Sequence, residues 1–240
     1  PASAVTTTTA PARTLTLDIW ADIACPWCWI GEHRLAAALA RFRAARPDVQ
    51  LTRSWRPFQL QPQLPRRGEP WAAFAAAKFG GAERMAQAFG HVAQAGAADG
   101  LEFRFDRLTV APNTTAAHRL VLHAAATAAA EAEAGDPDAA GTRALAMADA
   151  LFAAYFRDGR DPGDPAVLAD VAAERGMDRA AVAAFLASDA LALDVAESQR
   201  EAARLGIRGV PFVVLDGRLA VSGAQPVELF ERALAAALDG

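Results

Sequence analysis

Cysteine is scarce in this chain of 240 residues: there are two, Cys25 and Cys28, with only Pro26 and Trp27 between them. So few exclude a disulfide-stapled scaffold, and in a reducing compartment a close pair points to catalysis or metal binding rather than to a structural bridge. Long apolar runs are missing as well. Charges interrupt the most hydrophobic stretch, ALAMADALFAAYF, and no segment approaches the length needed to cross a bilayer. No block of Lys and Arg stands out, and the net charge of −4 is spread along the chain, which argues against a nucleic-acid surface. The opening PASAVTTTTAPART lacks the cationic leader and apolar centre of a secretory signal. Residues 1–13 read instead as a disordered lead-in. The expected location is the cytoplasm, with an already removed signal as the alternative.

What the chain has in quantity is alanine, so the hydrophobic content of 53% overstates the core and points to helix. Thr14 to Trp20 (TLTLDIW) alternates apolar and polar residues and predicts a strand. From Pro26 the pattern turns helical, with Ile30, Leu35, Leu39 and Phe42 on one face, until Pro47 stops it. Val49 to Trp55 predicts a second strand, and strand–helix–strand in this span is one βαβ unit with parallel strands. After a Pro-rich loop, Trp71 to about Leu205 is Ala-rich helix, broken at Gly80–Gly81, Ala111–Asn113, Gly135–Asp138 and Asp161–Pro165. Pro211–Leu215 and Arg218–Ser222 flank Asp216–Gly217, a hairpin signal because a type I′ turn needs positive φ at both positions. Val227 to Leu238 closes as an amphipathic helix. Neither a lone βαβ unit nor a lone hairpin can bury its apolar face, so the two ends are expected to share one sheet. The predicted fold is α/β: residues 14–61 and 191–240 form one discontinuous domain with a mixed sheet (βαβ … ββα), and residues 62–190 are an all-helical insertion.

Proline directly after Cys25 suits the first helical position, which seats Cys25 at a helix N-terminus beside free N–H groups and the positive end of the dipole. Thiolates are stabilised at such sites, where cysteine pKa values fall from roughly 8.5 toward neutrality or below. Cys28 lies one turn on along the same face, close enough for a disulfide, and is expected to be the enclosed, resolving thiol. Two other readings stay open. The pair could be half a zinc site with His33 as a third ligand, although no second Cys or His pair completes a tetrahedron, or it could be two inert buried residues. His33 otherwise reads as a solvated helix residue.

Around the pair, Pro26 and the apolar rings of Trp27 and Trp29 are candidate contacts for a peptide or small thiol. One of the two tryptophans is expected to be ordinary packing, with Trp27 the more exposed. Gly209-Val210-Pro211 precedes a strand; proline is tolerated there. If the Val210–Pro211 peptide is cis, the N–H and C=O of Val210 are free to pair with a substrate chain. Asp22 can relay a proton to Cys28 or satisfy backbone donors in its turn, and the second fits a residue type that readily makes local bonds. Asn113 reads as a helix N-cap. His118 falls on the helix that follows, either facing the groove or buried and hydrogen-bonded.

CPWCWIG after a strand, NTTAAHRL at Asn113–Leu120 and GIRGVPFVVLDGRLAVSGAQ at Gly206–Gln225 together resemble the DsbA family of thioredoxin-fold oxidoreductases, and within it the FrnE-like branch. The resemblance implies a thioredoxin-like core interrupted by a helical domain, with Cys25 as nucleophile, Cys28 as resolving thiol and Pro211 as the cis-proline. Related 2-hydroxychromene-2-carboxylate isomerases and kappa-class glutathione transferases carry serine at the first cysteine. Cysteine at both positions here favours thiol–disulfide exchange. DsbA itself has a histidine between its cysteines where this chain has Trp27, so its oxidant strength does not carry over.

The expected function is therefore a thiol–disulfide oxidoreductase or isomerase acting on protein or small-molecule disulfides and thiols. It needs no metal or organic cofactor, since the redox-active disulfide carries the electrons, with glutathione open as co-substrate and the redox partner unspecified. No nucleic-acid or membrane partner is expected, and a homodimer is compatible with the sequence. The competing readings are a glutathione-dependent isomerase or transferase on an aromatic or polyketide-like substrate, and a chaperone-like binding module without turnover.

Overall fold

A computed structural model describes residues 13–132 and 136–239. The expected lead-in lies outside the described residues apart from Arg13, which is the first residue of a strand, and the expected break at residues 135–138 lies partly outside them. The elements are β1 (Arg13–Ala21), α1 (Pro26–Ala45), β2 (Val49–Pro57), β3 (Glu69–Pro70), α2 (Trp71–Phe79), α3 (Ala82–Ala98), β4 (Val110–Ala111), α4 (Thr115–Glu131), α5 (Ala139–Phe156), α6 (Pro165–Glu174), α7 (Arg179–Ala187), α8 (Ala192–Arg204), β5 (Phe212–Leu215), β6 (Leu219–Ser222) and α9 (Val227–Asp239).

The two ends of the chain build one mixed sheet in the order β2-β1-β5-β6. Strand β1 runs parallel to β2, with Leu17 opposite Arg53 and Ile19 opposite Trp55, and antiparallel to β5, with Leu17 opposite Leu215 and Trp20 opposite Phe212. The hairpin turn at Asp216–Gly217 has φ of 49° and 64°, the left-handed pair that a type I′ turn requires. Alternation along β1 sorts its side chains between the two faces. Leu15, Leu17 and Ile19 join Leu35 and Leu39 of α1 and Phe230 and Leu234 of α9, whereas Trp20 on the opposite face packs with Phe58, Ala202 and Ile207.

The main core continues without interruption into the helical segment through Leu120, Met147, Leu151, Phe152 and Leu168. Helix α5 is buried on nearly every side, as its Ala, Leu and Phe composition permits. Asp138 pins its start to the edge strand β2: its carboxylate accepts from the Arg53 backbone N–H at 2.9 Å and from the Arg53 Nε at 2.8 Å. Helices α2 and α3 are different, burying only Ala75, Val92 and Gly96 among them. They hang from the two-residue ladder β3–β4, which is too short to leave an alternating pattern in the sequence.

Candidate active site

The antiparallel register fixes the site. Because Trp20 faces Phe212 at the end of the β1–β5 ladder, the chain leaving β1 and the chain entering β5 lie side by side at one end of the sheet. The first carries Cys25 into α1, and the second carries Val210 and Pro211, whose connecting peptide is cis. Gly31, one turn beyond Cys28, makes the approach possible: a Cβ there would sit 2.8 Å from Pro211 Cγ. A glycine inside a helix costs about 1 kcal/mol relative to alanine, so its presence in CPWCWIG was a readable sign of close packing that the sequence reasoning did not use.

Cys25 is the N-cap of α1, with φ −104° and ψ 109°, and Pro26 takes the first helical position. Its thiol does not cap the helix; it donates to the Val210 carbonyl at 3.7 Å. The carbonyl expected to be free for a substrate chain is thus engaged by the cysteine itself. No acidic residue occupies the first turn of α1 to oppose an anion there. Cys28 is 1% exposed, and the first turn closes with its N–H donating to the Cys25 carbonyl at 3.0 Å. Burial pushes the Cys28 thiol well above its ordinary pKa; the hydrogen bond with Cys25 and the charge of that sulfur add to the shift, and a backbone hydrogen bond at Asp22 works against it. At neutral pH Cys28 therefore keeps its proton.

Asp22 is buried, with one carboxylate oxygen accepting from the Leu60 N–H at 2.8 Å and the other from the Ala24 N–H at 3.3 Å. His118 is also buried, 3.4 Å from Asp22. The Trp55 indole N–H can only donate, so His118 Nδ1 accepts at 3.2 Å and Nε2 carries the hydrogen toward the Phe58 carbonyl at 3.1 Å. Asp22 lines the cavity beside Cys25, and His118 does not.

Asn113 lies one position before the helix N-cap, which is Thr114. It accepts from the Thr115 N–H at 3.0 Å and donates to the Leu64 carbonyl at 2.7 Å, so the expected cap becomes a tie between the α4 start and the Pro-rich loop. Successive helical residues turn by about 100°, which sends Trp27 and Trp29 to different sides of α1. Trp27 faces the cavity edge-on to His91 at 5.4 Å. Trp29 does not join it: it is buried against Phe103, Phe152 and Phe156, with its N–H donating to Asp149 at 2.9 Å. His33, expected to be solvated, is only 39% exposed and pairs with the same Asp149 at 3.1 Å.

Cys25, Pro26, Trp27 and Val210 form one wall of a cavity of about 390 Å³. Helices α2 and α3 add Trp71, Phe74, Lys78, Phe89 and His91 to the lining. Sequence reasoning passed over these residues, whose only signal was an aromatic face on helices with little else to bury. Tyr155 closes the floor; burial pushes its hydroxyl far above the ordinary range, and it donates to the Val110 carbonyl at 2.9 Å, so it is a fixed donor and not an acid.

Residues 16–235 match the family described as a DSBA-like thioredoxin domain. Among solved structures, a probable DsbA oxidoreductase from Streptomyces coelicolor is 35% identical, with a TM-score of 0.78 over 94% of this chain and 90% of that one. The cytosolic disulfide reductase DsbM from Pseudomonas aeruginosa, solved with glutathione, is 22% identical with a TM-score of 0.59 over 94% of this chain and 100% of its own. A 2-hydroxychromene-2-carboxylate isomerase is 16% identical with a TM-score of 0.59 over 92% and 95% of the two chains, and like DsbM it shares the fold. No curated protein matches this chain.

Proposed function

Because this chain belongs to the DSBA-like thioredoxin domain family, we propose that it is a thiol–disulfide oxidoreductase of the FrnE-like branch in which Cys25 is the nucleophile and Cys28 the resolving thiol. The observation that carries the assignment is the asymmetry of the pair. Cys25 sits at the helix N-terminus and lines a cavity, while Cys28 is sealed behind it with its thiol held neutral. Only one of the two sulfurs is placed to meet a substrate.

The Cys25 thiolate attacks one sulfur of a substrate disulfide, forming a mixed disulfide and releasing one substrate thiolate. Two of the causes that hold the Cys28 proton, the hydrogen bond with Cys25 and that sulfur's charge, disappear once Cys25 is in the mixed disulfide. Cys28 then loses its proton to solvent, attacks the Cys25 sulfur and releases the second substrate thiolate. The pair gives up two electrons and the substrate disulfide takes them; the reverse sequence oxidises a dithiol. The pair carries the electrons itself, and glutathione, present in the DsbM structure, is the small thiol proposed to reload it. No helix among the described residues is long and apolar enough to cross a membrane, and a cytoplasmic setting is proposed. Cysteine at both positions favours exchange over the glutathione-dependent isomerase reading.

Incubating the reduced protein with glutathione disulfide and weighing it intact tests the roles. Cys28→Ser is expected to trap glutathione on Cys25, wild type to convert to the internal disulfide, and Cys25→Ser to do neither. Oxidation of Cys25→Ser at the wild-type rate, or glutathione on Cys28 in the wild type, would overturn the assignment.

A further inference from the structure

We propose that the cavity beside Cys25 binds a small aryl disulfide or thiol carrying a negative charge, with its flat ring against the aromatic wall of α2–α3 and its anionic group at Lys78. This rests on the exchange reading above and names its substrate class.

Enclosure is the first argument. Cys25 is only 4% exposed and forms part of the cavity wall. The volume of about 390 Å³ falls within the range of small-molecule sites, roughly 300–1,000 Å³.

The second argument is the shape and chemistry of the wall. Phe89 stacks on Phe105 with ring centroids 4.2 Å apart and planes 13° from parallel, Trp71 stacks on Phe89 at 5.8 Å, and Phe79 meets Phe89 edge-on at 5.1 Å. Trp71, Phe79 and Phe89 stand on helices that bury almost nothing else, Phe105 comes from the segment after α3, and all four rings line the cavity. Offset-parallel faces suit another flat π system better than an aliphatic chain.

Charge is the third. Lys78 is the only lysine in the chain; its other Lys/Arg positions are all arginine. Its ammonium lies over the Phe74 and Phe79 rings, 5.3 Å and 5.8 Å from their centroids, at the cavity wall. Among the described residues no carboxylate pairs with it, whereas arginines such as Arg34, Arg53 and Arg160 hold acidic partners. A lysine in the last turn of α2 also suits the helix C-terminus. That role accounts for its sign but not for its seat on two cavity rings. The stem lies on apolar surface and the head is left for an anion.

The chemistry balances within the molecule. Cys25 forms a bond to one aryl sulfur, the aryl disulfide breaks and one aryl thiolate leaves. Cys28 then attacks Cys25 and expels the second, so the pair's two electrons end on two aryl thiolates. Aryl thiolates have low pKa values and leave fast.

The test is a single turnover of the pre-reduced full chain with 5,5′-dithiobis(2-nitrobenzoate) as the anionic aryl probe, 4,4′-dithiodipyridine as the neutral one, and glutathione disulfide and insulin as non-aryl controls. Each rate is divided by that of dithiothreitol with the same reagent, and insulin is scored by precipitation. Normalised rates should rank anionic aryl above neutral aryl, and both above the controls. Lys78→Gln is expected to cut the anionic rate by about two- to fivefold, the scale of one partly exposed charge contact, with a smaller effect on the neutral probe, and Lys78→Glu to invert their order. Equal loss on both probes, no loss on either, or controls turned over as fast as the aryl reagents would overturn the proposal. Cys25→Ser separates the two readings. If it stays as fast as wild type, the exchange reading itself falls; if it silences every reagent while Lys78 variants show no selectivity, only the cavity assignment does.

Discussion

Asp22 has two physically opposed roles available, and their signs differ. As a structural acceptor it holds the Leu60 and Ala24 N–H groups at 2.8 Å and 3.3 Å. As an anion it contributes to keeping the proton on Cys28. Replacing it with asparagine keeps one acceptor oxygen, removes the charge and leaves a buried donor partly unpaired, which should cost about 1–3 kcal/mol of stability. With the charge gone, the smallest of the causes that keep the proton on Cys28 is removed while burial remains, so the second phase of thiolate release at pH 7 should accelerate modestly in Asp22→Asn. A proton relay through Asp22 predicts the opposite, a slower second phase. Stopped-flow release of the two thiolates, read together with a urea melt, decides between them.

At the scale of the element, α1 shows what a sequence makes legible and what it hides. Its start, its apolar face and its stop are written locally in Pro26, in Ile30, Leu35 and Leu39, and in Pro47, and the helix runs from Pro26 to Ala45. The Asp216–Gly217 turn was legible for the same reason, since the required backbone conformation selects those residue types. The cavity was not. An Ala-rich helix has the same local pattern whether it faces a core or an empty space, and only the long-range placement of α2 and α3 beside Cys25 distinguishes the two. Glu32 was hidden in the same way. It follows Cys28 by one turn, yet its Oε2 is buried without a hydrogen-bond partner, and burial, then the charge of Asp149, push its carboxyl well above the ordinary range against a smaller pull from Arg53. The folded chain therefore holds a proton on Glu32 that the unfolded chain releases above about pH 4.3. Below that pH both states are protonated and nothing is lost; as pH rises toward the raised folded-state value, stability falls. Glu32→Leu should accordingly stabilise the protein at pH 7 by about 1–3 kcal/mol, with the gain shrinking at pH 4. Urea midpoints at the two pH values measure it, and a destabilised variant at pH 7 would show that the carboxyl has a partner.

Across the whole molecule, stability is unevenly distributed in a way that bears on how a substrate reaches an enclosed sulfur. Helix α5 buries twelve of its eighteen residues, nearly all of them in the main core. The cap formed by α2 and α3 buries three, joins its helices through Gly80 and Gly81 at φ of 68° and 143°, and is anchored by a two-residue ladder and by the Trp71 N–H donating to the Thr109 carbonyl at 2.9 Å. Elements with few buried apolar contacts open locally at a small fraction of the global unfolding free energy. The cap is therefore expected to open locally beside Cys25 while the sheet and α5 stay folded. Native-state hydrogen exchange should show α2 and α3 amides exchanging by a local opening, insensitive to low denaturant, and α5 amides exchanging only with global unfolding. Loading Cys25 of Cys28→Ser with the anionic aryl probe fills the cavity and should slow exchange in α2 and α3 by about tenfold or more, leaving α5 unchanged. Cap and α5 amides exchanging together, with no protection from the loaded ring, would mean that the cap does not open independently and that substrate enters by another path.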